Sequence, residues 1–207
     1  MNKKLAEALS VVLQPLIVPT FITAILFYLT PEATSVPKSA KWSLLLLVML
    51  TTFLVPMISI IGMKWTSSIK SFRMPDKKER IMPFTIISSF YLMTALFFHH
   101  KLNVDFLLVG TMAIIALCVI VLTVITVFWK ISAHLTGLAG MLAIIVVLSI
   151  KFDFNSLIYP MIATIMACGA LATARLSLEA HKPSEIYGGF FFGFTFCFLG
   201  YYYILLI

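Results

Sequence analysis

Three groups of polar residues interrupt an otherwise apolar chain. Arg73, Lys77 and Arg80 crowd one charged stretch, Ser132-Ala133-His134 forms a second, and Arg175, His181 and Glu185 form a third. Several guanidiniums facing one point suit a phosphate, because each offers a planar fork of donors that matches its oxygens. Two histidines can divide phosphoryl transfer, one attacking phosphorus as a neutral imidazole while the other protonates the leaving oxygen. A carboxylate four residues beyond the attacking histidine can hold its far nitrogen and set its tautomer. His181 and Glu185 have that spacing, and Pro183 between them suits the first turn of a following helix. His181 would then sit just ahead of that helix, where the dipole favours an anion. Taken singly, each basic residue reads more plainly as a topology signal or lipid anchor. The joint spacing is what argues for a site.

The elements that must position these residues are membrane helices. Of 207 residues, 61% are hydrophobic and only 11% charged, whereas a soluble domain has about half apolar and about a quarter charged residues. A water-soluble enzyme, a nucleic-acid binder and a disordered chain are excluded on that ground. The net charge of +7 sits between apolar runs, as it does where basic loops meet anionic lipid. Seven continuously apolar segments are read at Ala8–Leu29, Trp42–Met63, Met82–Phe98, Val104–Trp129, His134–Ile150, Leu157–Ala174 and Ile186–Leu206. Most approach the roughly 20 residues that a helix needs to cross the hydrocarbon core. The third and fifth are short enough to be partly embedded, which leaves six full crossings as an alternative. No strand-like alternation is present, so the expectation is an all-α polytopic transmembrane helical bundle, one domain over 1–207. The first segment has no small-residue cleavage site and reads as a retained span. Cys118, Cys168 and Cys197 lie inside apolar runs without metal spacing and read as packing. Gly189 and Gly193 form a small-xxx-small pair, read as packing inside the bundle rather than as a dimer face.

Counting crossings brings the polar groups together. Two segments separate the first group from the second, and two separate the second from the third, so all three lie on one membrane face. Arg73, Arg80, His134, Arg175, His181 and Glu185 can therefore converge. The adjacent pair His99-His100 falls on the opposite face. Adjacent histidines do not share a helical face and no carboxylate or cysteine lies close in sequence, so no metal is expected there. Asp105 and Asp153, on that same far face, read as loop solvation. Asp76 and Glu79 among basic residues make a poor magnesium–pyrophosphate motif.

These residues resemble the type 2 phosphatidic acid phosphatase superfamily. Arg175-x5-His181-x3-Glu185 is similar to its third motif, S-R-x5-H-x3-D. Ser132-Ala133-His134 resembles its second, P-S-G-H, and Arg73-x6-Arg80 its first, K-x6-R-P. The order of the motifs matches, and the hydrophobic layout extends the likeness over most of the chain. The resemblance implies a six-or-so-helix phosphatase core acting without metal or other cofactor on lipid phosphates or isoprenoid pyrophosphates. By the same resemblance His181 is the nucleophile and His134 the general acid and then base. Glu185 orients His181, and Arg73, Arg80, Arg175 and Ser132 hold the phosphate. The chain departs from the pattern at Ala174 for serine, Glu185 for aspartate, Ala133 for glycine, Ile81 and Ile131 for proline, and Arg73 for lysine. Lys77 or Lys78 stands ready to replace that lysine.

Two classes of function follow: hydrolysis of a membrane lipid phosphate, or binding and transport of an anionic lipid by a catalytically silent homologue. Transport needs the positive charge, whereas hydrolysis needs both imidazoles. No nucleic-acid partner is expected. Eleven of the fifteen Lys and Arg residues fall on the site face; Lys38, Lys41, Lys101 and Lys151 fall on the other. That bias puts the site and the amino terminus in the cytoplasm of a cell-membrane protein. The resemblance argues the other way, since such sites usually lie outside. A cysteine placed at Ser67 should resist an impermeant thiol reagent on intact cells; its labelling would reverse this topology.

Overall fold

The computed structural model describes residues 1–72, 74, 76–102 and 104–206, with Leu206 described by its backbone alone. Seven helical stretches are long and apolar enough to cross a membrane, and all seven expected segments are among them. The third and fifth, at 25 and 19 residues, are both long and apolar enough to cross. No strand occurs among the described residues. The chain is a polytopic helical bundle and an integral membrane protein.

Prolines divide the first two spans. The first consists of α1 (Lys3–Val12), a single 3-10 turn at Pro15–Ile17, and α2 (Val18–Tyr28). The second consists of α3 (Lys38–Met49), a π-helical turn at Leu50–Leu54, and α4 (Val55–Trp65), with Pro56 removing one ladder donor just after the turn. The other spans are α5 (Lys78–Phe97, continued by a π turn to Leu102), α6 (Phe106–Phe128), α7 (Ala133–Lys151), α8 (Phe154–Ser177) and α9 (Pro183–Leu206).

The innermost span is α7, whose residues from Leu138 to Ile145 are all buried. It packs most extensively against α9 and then α8, while α5 pairs with α6 and α1 lies on α8. The α7–α9 contact is a backbone contact. A Cβ on Gly193 would stand 2.2 Å from the Thr136 carbonyl oxygen, and one on Gly189 would stand 2.6 Å from that of Ser132. The small-xxx-small pair thus serves packing within the bundle. Thr136 uses the closeness, donating its hydroxyl to the Ser132 carbonyl at 3.0 Å and lying 3.2 Å from the Gly189 carbonyl. At the opposite end the Thr111 hydroxyl meets that of fully buried Tyr201, joining α6 to α9.

Ends of helices are closed by side chains. Lys41, although buried, donates to the Phe27 carbonyl at the end of α2, and Lys151 donates to Leu205 at the end of α9. Asp153 accepts from the amides of Asn155 and Ser156 and so caps α8. Asp105 receives the amide and hydroxyl of Ser35, tying the 30–37 connection to the start of α6. The two far-face aspartates therefore hold loops and helix starts beyond simple solvation. His99 and His100 are exposed, and no group of metal-ligating side chains occurs among the described residues.

Gly193→Ala should lower stability by about 1–3 kcal/mol, because its methyl meets backbone that no rotamer change can move. Gly169→Ala on α8, with nothing within 4 Å of its Cβ, should be neutral or stabilising by up to about 1 kcal/mol. Unfolding midpoints in one detergent check this, and equal midpoints would contradict the assigned contact.

Candidate functional site

The three polar groups meet at one end of the bundle. A cavity of about 430 Å³ there is lined by Arg80 from the first turn of α5, His134 from the start of α7, Arg175 from the last turn of α8 and His181 from the α8–α9 turn. The crossing count anticipates this gathering.

The turn that delivers His181 is a helix-ending device. Leu178 closes α8, Glu179 takes a left-handed conformation at φ 52°, and the Ala180 amide reaches back to the Arg175 carbonyl at 3.1 Å. This is a Schellman arrangement, in which one left-handed residue reverses the chain and satisfies an orphan carbonyl. It explains the spacing Arg175-x5-His181, since the reversal returns the chain beside the helix that carries Arg175. Pro183 then opens α9, and Glu185 in its first turn accepts the Lys182 amide at 3.1 Å, half of a capping box.

The same Glu185 oxygen lies 2.9 Å from Nδ1 of His181. A carboxylate only accepts, so Nδ1 carries the proton and a neutral ring leaves Nε2 as a lone pair. That carboxylate by itself would favour imidazolium. Burial works against it first, followed by the nearby charges of Arg80, Arg175 and Lys130, and together they push His181 down to about 3. The backbone carbonyl of Lys130 acts in the opposite direction without reversing the balance. Lys130 is itself lowered, by burial and then by Arg80. The site thus concentrates cations around a histidine held neutral, a state that suits an anion acceptor and a nucleophile together.

Arg80 is 5% exposed and anchors its Nε on the Met74 carbonyl at 3.0 Å. Arg175 is 8% exposed and directs an NH1 donor to the Ser10 hydroxyl at 3.4 Å. Nε2 of His134 lies 3.1 Å from the Ser10 carbonyl oxygen.

Other expected site residues stand elsewhere. Arg73 lies outside the described residues. Lys77 turns to the Phe128 carbonyl at 3.0 Å and closes the end of α6, so its ammonium serves a helix terminus away from the cavity lining. Ser132 is fully buried and caps α7, its hydroxyl 3.5 Å from the Leu135 amide, while its own amide donates to the Glu185 carbonyl at 2.9 Å. It ties α7 to α9 and does not line the cavity. Ala133 lines it as the first residue of α7, in a helical backbone that needs no glycine. Ala174 is fully buried.

The first span, expected only as a membrane crossing, also contributes to the cavity. Glu7, Ser10 and Gln14 line the cavity. Glu7 and Ser10 share one face of α1, and Gln14 follows in the extended break beyond its end. Their spacing of three and four residues in an apolar segment is a helix-like polar stripe that could have been read inward.

No model of a known protein family matches the chain, and neither a curated protein nor a solved structure matches it.

Histidine-selective NMR on the free protein should show His181 neutral from pH 8 to 5, gaining its proton only as pH falls toward 3. A depressed pKa also means that the unfolded chain takes that proton first, near the ordinary value of about 6.5. Stability is therefore full above that value and declines as pH falls below it. Arg80→Gln should move the titration upward. Titration of wild-type His181 near the ordinary value would contradict a site in which burial and the two arginines hold the ring neutral.

Proposed function

We propose that this chain is an integral-membrane phosphatase of the type 2 phosphatidic acid phosphatase kind, hydrolysing a lipid or isoprenoid phosphate through a phosphohistidine intermediate. The observation that carries the reading is one cavity lined by His134, His181, Arg80 and Arg175, with Glu185 fixed on the far nitrogen of His181.

In this reading Arg80 and Arg175 neutralise the phosphate oxygens and hold phosphorus before Nε2 of His181. The nitrogen lone pair forms the P–N bond as the ester P–O bond breaks, and His134, protonated at that stage, gives its proton to the departing oxygen. Water then loses a proton to the neutral His134 and attacks phosphorus. The P–N bond breaks, phosphate leaves, and both histidines return to their starting states. Glu185 steadies the charge that His181 acquires.

A lipid substrate suits the surroundings. Pro15, Leu16, Phe84, Ile87 and Ala133 line both the polar cavity and an apolar cavity beneath it. An apolar groove of about 490 Å³ between α2, α7 and α8 meets the site at Gln14. A headgroup among the arginines would leave its chain in contact with apolar surface.

The test is phosphate release by the detergent-purified protein in EDTA, across phosphatidic acid, phosphatidylglycerol phosphate and a polyprenyl pyrophosphate. Wild type should release phosphate, and His181→Ala and His134→Ala should each lose at least about a hundredfold, since both act in the chemical step. An unchanged rate in His181→Ala would remove the assignment. No release from any substrate would transfer the cavity to binding or transport of an anionic lipid.

A further inference from the structure

Ser10 stands in the first span, outside every group of residues that the site was expected to use, yet it touches two of the four side chains that define the cavity. Its carbonyl oxygen lies 3.1 Å from Nε2 of His134, and its hydroxyl accepts from NH1 of Arg175 at 3.4 Å while donating to the Ala6 carbonyl at 2.9 Å. We propose that Ser10 is a positioning residue of the site, its carbonyl fixing the tautomer and orientation of His134 and its hydroxyl holding Arg175. The assignment of a reaction to these groups rests on the phosphatase reading; the contacts themselves do not.

The chain is built to offer that carbonyl. Inside a continuous helix the Ser10 oxygen would receive the Gln14 amide. Pro15 disfavours helical backbone at the residue before it, and Gln14 is extended, at φ −67° and ψ 135°. The α1 ladder ends with the Leu13 amide on Leu9, and the next amide to turn back, that of Ile17, goes to Gln14. The Ser10 carbonyl is thereby one of the terminal acceptors that a helix leaves for other partners, and His134 takes it. The close fit of α7 against this break keeps the two in register: a Cβ on Gly137 would stand 3.1 Å from Cβ of Pro15.

A backbone carbonyl can only accept, so it places a proton on Nε2 of His134 and leaves Nδ1 as the nitrogen for proton exchange. Each histidine has one nitrogen at hydrogen-bond distance from an acceptor: His181 its Nδ1 from Glu185, His134 its Nε2 from the Ser10 carbonyl. The acceptors differ in charge. A carboxylate supports a histidine that becomes positive on attack, whereas a neutral carbonyl suits one that must both give and take a proton.

The test uses the full-length protein in lipid nanodiscs, with nitrogen-labelled histidine, and inorganic phosphate as the probe. His134 should show the Nε2–H form in wild type, and Pro15→Ala, which lets Gln14 return to Ser10, should shift the population toward Nδ1–H. Ser10→Ala should weaken inorganic phosphate binding roughly three- to tenfold through Arg175, with Ser10→Thr restoring it, while the tautomer of His134 stays as in wild type. A His134 protonated on Nδ1 alone in wild type, or unchanged phosphate affinity in Ser10→Ala, would overturn the inference. Neither arm needs turnover. Failure of the wild type to release phosphate from lipids would therefore sink the phosphatase reading alone, whereas failure to bind inorganic phosphate would sink both.

Discussion

The backbone contact between α7 and α9 is the constraint on which the site depends. Gly189 and Gly193 let α9 lie against the α7 backbone from Ser132 to Thr136, so close that a methyl at either position would collide with carbonyl oxygens. Lipid tails are as apolar as leucine, so helices in a bilayer gain by close packing and by hydrogen bonds between them. That packing sets the start of α7, which carries His134, beside the start of α9, which carries Glu185 and is preceded by His181. The Ser132 amide on the Glu185 carbonyl locks the two starts together. A small loosening there would move both histidines relative to each other.

Charge supplies the second constraint. Buried arginines in a membrane protein are costly unless they face a polar interior, and Arg80 and Arg175 do so with partners on Met74 and Ser10. Their fields, added to burial, keep His181 neutral even though it touches a carboxylate. A cluster of cations and an unprotonated imidazole nitrogen thus arise from one arrangement. The apolar cavity beneath it and the groove between α2, α7 and α8 place apolar surface next to this charged group.

Much of this is legible in the sequence because hydropathy and parity are strong constraints. Seven continuous apolar runs place the spans, and even crossing counts place Arg80, His134, Arg175 and His181 on one face. The interval from Arg175 to His181 is legible as a motif, although its cause, a left-handed Glu179 closing α8, is not, since no glycine marks the turn. Lys77 and Ser132 depart from their expected places for a common physical reason. Helix ends leave orphan backbone groups, and these two side chains satisfy the ends of α6 and α7. Parity says which face a residue occupies but not which way a span turns its stripe, so it gives no sign of Glu7, Ser10 and Gln14. The sites of departure from the phosphatase pattern have local explanations only in part: Ala133 begins a helix, where glycine is not required, whereas nothing in the structure explains why Ala174 replaces serine.

If His181 receives a phosphoryl group, that group can be trapped. An aryl phosphate with radiolabelled phosphorus needs little help from a general acid, so His134→Ala should still be phosphorylated by it but should release the group slowly. The expected result is an acid-labile, base-stable label in His134→Ala that maps to His181 and is absent from the His134→Ala/His181→Ala double variant. Wild type that turns over the aryl phosphate while no label forms on His181, or a label that survives in the double variant, would contradict a phosphohistidine at this position.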